Sequence, residues 1–557
     1  MSSLTDRPTA SFVTHEVRNQ VPPLQDRNLF EDHVALVEGL EREGGGWARE
    51  RASEVGAFWG GAPMEWGRLA NENKPVLHTH DRFGSRIDEV EFHPAWHQLM
   101  ARGVADELHA LPWNTDTSGA HVARAAVYMS GMQAEAGFCC PITMTFAAVP
   151  AFEATPELAA QWVPLLTATT YDPELRPAAE KGSAICGMSM TEKQGGSDVR
   201  ANTTYAVAVN GGGEGAEYRI TGHKWFTSDP MCDVFLVLAQ TDEGLSCFVM
   251  PRVLPDGTRN TIHFQRLKNK LGNASNASGE PEFHAATAWM LGEPGRGVPT
   301  IIEMVGHTRL DCVIGSAAAM RSGVARATWH AAHRSAFGRT LIDQPLMRNV
   351  LADLAIESEA ATVTALRLAR AYDEASAGDE DAQAFKRLAT AVSKYWVCKR
   401  QPNHAYEALE CHGGNGYDEA SGMPRLYREA PLSSIWEGSG NVMALDVLRA
   451  IGKEPRALGA FLDEVDLAAG SDARLDAHVG ALRDEFTDPE HLEIRARRIV
   501  EQMALALQAS LLIRNAPPAV ADAFCAARLG RDAGLEYGTL PASTDFATII
   551  ERHAPQA

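Results

Sequence analysis

Apolar residues recur at three- and four-residue spacing through the first third of the chain. The pattern is clearest in residues 101–113 (ARGVADELHALPW) and 122–136 (VARAAVYMSGMQAEA), and it predicts helices with one buried stripe. Gly60, Gly61, Pro112 and Pro150 punctuate these helices, and residues 1–30, polar and carrying Pro22 and Pro23, read as a loosely ordered arm. At Ser183 the pattern changes from helical to strand-like. Residues 203–209 alternate and are rich in β-branched side chains, NGGGEG (210–215) turns, and residues 217–221 return, which predicts a hairpin. Residues 234–239 and 246–250 predict a second strand pair, and the strand-rich block runs to about Leu291. Helical spacing resumes after Pro299 in residues 311–334, 346–372 and 381–399, long helices with short connections that suggest a bundle. GDEDA (378–382) reads as a solvated acidic loop. Beyond Ile451 the chain becomes Ala- and Leu-rich and strongly charged. The expected fold is mainly α with a central β-domain. It divides into an N-terminal arm and helical domain (1–182), the β-domain (183–292), a helical-bundle domain (293–452) and a C-terminal helical extension (453–557).

Length alone argues for several domains, since 557 residues exceed what one core supports. A net charge of −21 means the average surface repels nucleic acid and anionic lipid, so any nucleic-acid contact needs a local basic patch. Nine cysteines without a CxxC pair read as reduced thiols, no apolar run is long enough to span a bilayer, and the N-terminus lacks an apolar signal core. The expected location is the cytoplasm. His93, His97 and His109 are irregularly spaced and read as core or solvated histidines, so no metal site is expected.

The chemistry concentrates in residues 185–204, ICGMSMTEKQGGSDVRANTT, where Thr191, Gly195, Gly196, Ser197 and Asp198 crowd together. Glycines there allow close approach of backbone to a ligand, although the same residues also suit a tight loop between strands. GHKWFTS follows at 222–228, and SIWEGSGN stands at 434–441. These three motifs together resemble the acyl-CoA dehydrogenase flavoprotein family. TEKQGGSDVRANTT, LKNKLGNASNAS (267–278) and CPITMTFAA (140–148) resemble its AidB-type branch, which is linked to bacterial alkylation damage. The likeness runs from about Asn28 to Ile451 and continues more loosely beyond.

The resemblance implies FAD as cofactor, an acyl-CoA or related small molecule as substrate, and a homotetramer built as a dimer of dimers. It places the catalytic base at Glu437, where Trp436 and Ile435 help desolvate the carboxylate; the plainer reading is a glutamate at a helix start. Some branches carry the base directly before an arginine, a position occupied here by Thr308, and Arg309 matches the arginine. Met188, Met190, Thr191, Gly196 and Ser197 are implied around the flavin ring and pyrophosphate, with Trp225, Phe226 and Thr227 on the other ring face. Ser439 and Asn441 fit the adenosine or pyrophosphate side, and Trp436, Gly438 and Gly440 beside them are implied as further cofactor contacts. RSAFG (334–338) matches a segment reaching cofactor across a subunit interface, with Arg334 on phosphate, and ECHGGNGY (410–417) matches the family's glycine turn, which implicates Arg334, Phe337, Gly413 and Gly414. Glu410 and Gln344 depart from that pattern. The AidB-type likeness also suggests double-stranded DNA as a partner. Residues 453–557 carry a net charge of −6, yet Arg495, Arg497 and Arg498 cluster there, with Arg514 further on. Arg495, Arg498 and Arg514 are the candidate phosphate contacts, and a solvated helix face is the equal alternative. Two functions follow: an FAD-dependent oxidoreductase of the alkylation response that contacts DNA, or a purely metabolic acyl-CoA dehydrogenase with no DNA role.

Overall fold

In the computed structural model, which describes residues 14–488, 490–530 and 532–556, helices at both ends of the chain enclose a strand-rich middle. Two N-terminal helices, α1 (Ala120–Ala134) and α2 (Cys139–Phe152), are buried almost around their whole circumference, so they lie inside the molecule rather than on it. The strands of this middle block are β1 (Cys186–Ser189), β2 (Tyr205–Ala208), β3 (Glu217–His223), β4 (Val234–Thr241), β5 (Gly244–Pro251), β6 (Ile262–Leu267) and β7 (Gly279–Leu291). Pairing runs β4–β2–β3–β7–β5 and returns to β4, which closes five strands into a barrel. β1 lies parallel on β4, and β6 pairs with β7.

β4 explains how the barrel joins the helices. Its residues 234–239 are all buried, but they serve two cores in alternation. Phe235, Val237 and Ala239 fill the larger core, whereas Val234, Leu236 and Leu238 pack with Phe146 and Val149 of α2. The GGG run is a turn, as expected: Gly211, Gly212 and Gly213 all have positive φ, and the Gly213 N–H donates to the Tyr218 hydroxyl at 2.8 Å.

The bundle contains α3 (Gly297–His333), α4 (Pro345–Ser376), α5 (Glu380–Glu410), the short α6 (Met423–Glu429) and α7 (Gly440–Lys453). α3, α4 and α5 pack mutually, α1 and α2 pack on α3, and α8 (Leu492–Asn515) of the extension packs on α4, α5 and α7. α3 starts earlier than its spacing suggested.

Three expectations need correction. The acidic connector is a helix cap: Asp379 accepts the N–H groups of Asp381 and Ala382, both at 2.9 Å, and the acids beside it favour the helix start. The helix expected over 101–113 instead runs Pro94–Ala105 and is followed by a separate turn, Leu111–Trp113. From Asn19 onward the arm is tied down, because Pro22 accepts a hydrogen bond from the Trp329 indole at 2.8 Å and Asn19 pairs with Ser335. Residues 1–13 lie outside the described residues.

The histidines have structural partners. His93 caps its helix, His97 meets the Tyr171 hydroxyl and His109 meets the Ala168 carbonyl. Among the described residues no group of side chains could hold a metal ion, and no helix is long and apolar enough to cross a membrane. All nine cysteines are buried and free.

Candidate active site

Residues 436–438 form a tight turn between α6 and α7. Glu437 has φ 56° and Gly438 φ 111°, a left-handed pair that costs an L-residue about 1–3 kcal/mol unless its surroundings hold it. Cations hold it here. Lys394 of α5 donates to the carbonyls of Trp436, at 2.7 Å, and of Gly438, and Arg309 of α3 donates to that of Glu437 at 3.0 Å. Arg309 is itself fixed by Asp446 of α7 at 2.9 Å, which also binds Arg387.

The turn aims the Glu437 carboxylate into a cavity between α1, α2 and α3, lined by Tyr128, Met132, Cys140, Met144, Thr308 and Trp436. Burial raises the carboxyl above the usual glutamate range, while the Thr308 hydroxyl, 2.8 Å from Oε2, and the charges of Arg309 and Lys394 pull the other way. The cavity floor is a closed polar network: Arg124 grips both oxygens of Asp311 at 2.6 and 2.7 Å, and Thr143 donates to the same carboxylate at 2.6 Å.

Opposite this turn stands the loop after β1, and one buried ion pair shapes it. Lys224 and Glu192 are both fully buried, 3.1 Å apart. Glu192 accepts the N–H groups of Thr203 and Thr204 at 2.8 and 3.0 Å, whereas Lys224 also donates to the Leu238 carbonyl at 2.7 Å. The two charges therefore fasten the start and end of the glycine-rich loop to the barrel. Gly196 presses on Thr191, where an added Cβ would come within 2.5 Å of the hydroxyl. The Trp225 N–H donates to the Thr191 carbonyl at 2.7 Å.

Met188 and Met190 pack in the same apolar cluster as Trp436, Cys140 and Met144, so the β1 strand and the Glu437 turn meet. Thr227 is buried against Ser189, Trp225 is half-buried with the Lys268 ammonium 3.1 Å from its ring centre, and Phe226 is exposed. Gly196 and Ser197 are exposed on the loop, while Ser439, Gly440 and Asn441 begin α7. Arg334, Phe337, Gly413 and Gly414 are not brought to this site within one chain. Arg334 bonds the Asn19 carbonyl, Phe337 is 99 % exposed, and the two glycines lie on the surface.

Arg495 and Arg498 both pair with Glu485, and Arg514 pairs with Glu464. Arg497 points elsewhere, onto the Asn441 side chain at 2.8 Å. Sequence reasoning missed Lys394, Lys224 with Glu192, and Arg497 in this role. Only Glu192 and Lys224, each inside a motif, carried a local signal.

The residues present fit FAD. The cradle between Gly196 and Thr191 would be filled by a Cβ, and the half-buried Trp225 with the exposed Phe226 offers aromatic surface for a planar ring system.

Three family descriptions match in order: the adaptive response protein AidB N-terminal domain over residues 19–173, the acyl-CoA dehydrogenase middle domain over 187–286, and the acyl-CoA dehydrogenase C-terminal domain over 295–452. AidB of Escherichia coli (strain K12) is 45% identical over 94% of this chain and 96% of its own. The Caenorhabditis elegans structure of ACDH-11 in complex with C11-CoA superposes with a TM-score of 0.84 at 26% identity, covering 94% of each chain. Bd2924 in its apo form gives a TM-score of 0.82 at 27% identity, covering 89% of this chain and 100% of its own. The chain therefore belongs to the acyl-CoA dehydrogenase family, FAD-dependent oxidoreductases acting on CH–CH groups, and stands in it with the AidB-type proteins.

Proposed function

We propose that this protein dehydrogenates the α,β-bond of an acyl thioester, with Glu437 as the base that takes the α-proton. What carries the reading is the carboxylate itself. It is buried, held in a strained turn by Arg309 and Lys394, and aimed into a cavity walled by Met132, Met144 and Trp436. Burial brings its basicity toward the level a general base needs, and the Thr308 hydroxyl orients the carboxylate without competing as a base. FAD, when bound, supplies the acceptor for the two electrons that leave the β-carbon. Met188, Met190, Thr191, Gly196, Ser197, Trp225, Phe226 and Thr227 would hold it from the barrel, and Trp436, Gly438, Ser439, Gly440 and Asn441 from the bundle. The C11-CoA held by the ACDH-11 relative supports a thioester as the occupant. Anaerobic mixing with a panel of acyl-CoA thioesters tests this: bleaching of the flavin absorbance is expected with at least one, and none across the panel sinks the reading.

Self-association into a homotetramer belongs to the same reading. Phe337, Leu346 and Tyr417 are 99, 82 and 85 % exposed, apolar surface that a second copy would cover, and Arg334, Gly413 and Gly414 would then reach a neighbour's cofactor. Cytoplasmic residence and a part in the alkylation response rest on the AidB likeness. Duplex contact through 453–557 is supported by that likeness and by the exposed Arg498 side chain, although its charge is shared with Glu485. Arg495→Glu with Arg498→Glu in the full-length chain should weaken binding equally for unrelated duplexes. Unchanged affinity across a salt titration removes these residues from any DNA site.

A further inference from the structure

Beyond the cavity at Glu437 lies a second one, and Met132, Ala136, Ser433 and Trp436 line both. The long helix α3 runs along the pair. Thr308, Asp311 and Cys312 face the first cavity, whereas Ala319, Ser322 and Arg326 face the second, so Cys312 and Ser322 stand about 15 Å apart along the helix axis. An acyl chain whose thioester end lies at Glu437 would pass Met132 and Trp436 to reach the second chamber.

That chamber is not built for a hydrocarbon. Gln133, Asn273 and Gln401 line it at 6, 3 and 3 % exposure. Gln133 Nε2 and Oε1, Asn273 Oδ1, Gln401 Oε1, Arg425 Nη1 and Trp436 Nε1 are buried and have no hydrogen-bond partner among the described residues. Buried polar groups are normally paired, so such a concentration marks a place where something else completes them. An amide can present either its oxygen or its NH2 group by turning over, which leaves the glutamines and the asparagine adaptable. The Arg425 and Trp436 nitrogens have no such freedom and can only donate.

Charge narrows the choice. Arg326 and Arg425 both line the chamber, and among the described residues neither forms a close ion pair, although the Arg425 charge acts on the nearby Glu429 carboxyl. Arg326 donates to the Ser322 hydroxyl at 3.2 Å and the Ser421 carbonyl at 3.1 Å, and Arg425 donates to the Ala134 carbonyl at 3.3 Å. Two acids line the same space, and each already holds hydrogen-bond donors. Both oxygens of Glu429 accept from the Asn273 N–H, at 2.8 and 2.7 Å, and Glu135 accepts from the Phe138 N–H and the Asn71 side chain at 2.7 and 2.9 Å.

We propose that this chamber receives a carboxylate at the far end of the acyl chain, so that the preferred substrates are ω-carboxyacyl thioesters. The inference rests on the acyl-thioester reading of the Glu437 cavity. The planar fork of Arg425 and the Trp436 indole N–H suit a carboxylate, with Gln133 turned to donate.

The test uses the FAD-loaded, full-length protein and pairs of thioesters from octanoyl-CoA to hexadecanoyl-CoA, each with and without a terminal carboxylate, with binding measured by calorimetry. At one or more matched lengths the carboxylated ligand should bind about tenfold or more tightly, the scale on which polar subsites discriminate. Arg425→Gln and, separately, Gln133→Leu should remove most of that preference while the plain chain binds as before. Equal or weaker binding of the carboxylated ligand at every length overturns the inference, and so does a preference that survives both substitutions. The paired comparison on the unsubstituted protein decides even if a variant fails to fold. If plain thioesters bind and carboxylated ones do not, this inference alone fails. If no thioester of either kind binds, the Glu437 reading fails and takes this one with it.

Discussion

Replacing Lys224 with methionine tests whether the buried ion pair governs the loop after β1. Methionine keeps much of the side-chain volume and removes the charge. Three contacts go with it: Glu192 at 3.1 Å, the Leu238 carbonyl at 2.7 Å and the Met190 carbonyl at 3.3 Å. Removing one partner of a buried pair costs about 3–5 kcal/mol, because the other charge stays buried without it. Glu192 keeps two backbone N–H donors, the Thr203 hydroxyl and the Gln194 amide, which places the expected cost at the low end, about 3 kcal/mol. The damage should be local. Hydrogen exchange at the Thr203 and Thr204 amides, which bond Glu192, should speed up by about a hundredfold, since each ~1.4 kcal/mol is a factor of ten. Flavin content should fall with it, as the loop no longer presents Thr191 and Gly196. Adding Glu192→Gln should recover part of the loss, because a neutral amide is cheaper to bury than a lone carboxylate. Exchange within threefold of the parent, or a strictly additive double variant, would refute the reasoning.

Glu437→Gln should keep FAD bound and lower flavin reduction by thioesters about a hundredfold or more, as loss of a general base does; reduction at the parental rate would place the base elsewhere. Because burial raises the Glu437 carboxyl, kcat/KM should rise with pH through an ionisation above the ordinary glutamate range. Thr308→Val, which removes a hydrogen bond favouring the ionised form, should move that ionisation further up, and an unmoved profile would count against the contact. Asp229 is pushed up to about 7 by burial, so the folded chain holds a proton that the unfolded chain releases near ~3.9. Stability from this group is lost as pH climbs from there to about 7, by up to about 4 kcal/mol, and stays lost above. Asp229→Asn should therefore raise Tm more at about pH 8 than at about pH 5, and the reverse order would contradict the assignment.

What could be read in advance followed from local pattern and motif. The hairpin around the GGG turn, the long bundle helices and the strand character of residues 234–239 are each written in spacing, because side-chain period and backbone geometry are coupled. Closure of the barrel was not legible. The β4–β5 hairpin was foreseen, but closure also needs β5 to pair with β7 and β2 to lie against β4, contacts between residues far apart in sequence. The same limit applied at the site. Glu437 sits in a motif and could be named, whereas Lys394 lies in an unremarkable stretch of α5 and matters only because α5 passes under the turn. The two-stranded ribbon Val76–His80 with Arg86–Glu91 gave no signal, since its first strand alternates between half-buried and exposed positions and its second buries only Asp88 and Val90, so neither carries an apolar face. Asp379 is solvated, as read, but it was assigned to a loop because capping is a property of the helix that follows it.

The extension at 453–557 illustrates how charge can mislead when read as a count. Its arginines look like a cluster in sequence, yet Arg474, Arg483, Arg495, Arg498, Arg514, Arg528 and Arg552 each sit against a carboxylate. Most of their positive charge is spent inside the chain, and little reaches beyond a Debye length of about 8 Å. Arg497 differs. It reaches from α8 to the first turn of α7, its Nη2 falls 3.3 Å from where a Gly440 Cβ would stand, and the Lys399 ammonium lies 3.4 Å from the same point. These two cations, with Lys394 behind the turn, gather beside the amide end of α7, whose dipole adds to theirs. The extension therefore contributes to the wall around residues 436–441 rather than hanging beside the bundle as a separate module. Removing it would expose that wall, so any role for its arginines, on DNA or otherwise, has to be measured in the intact chain.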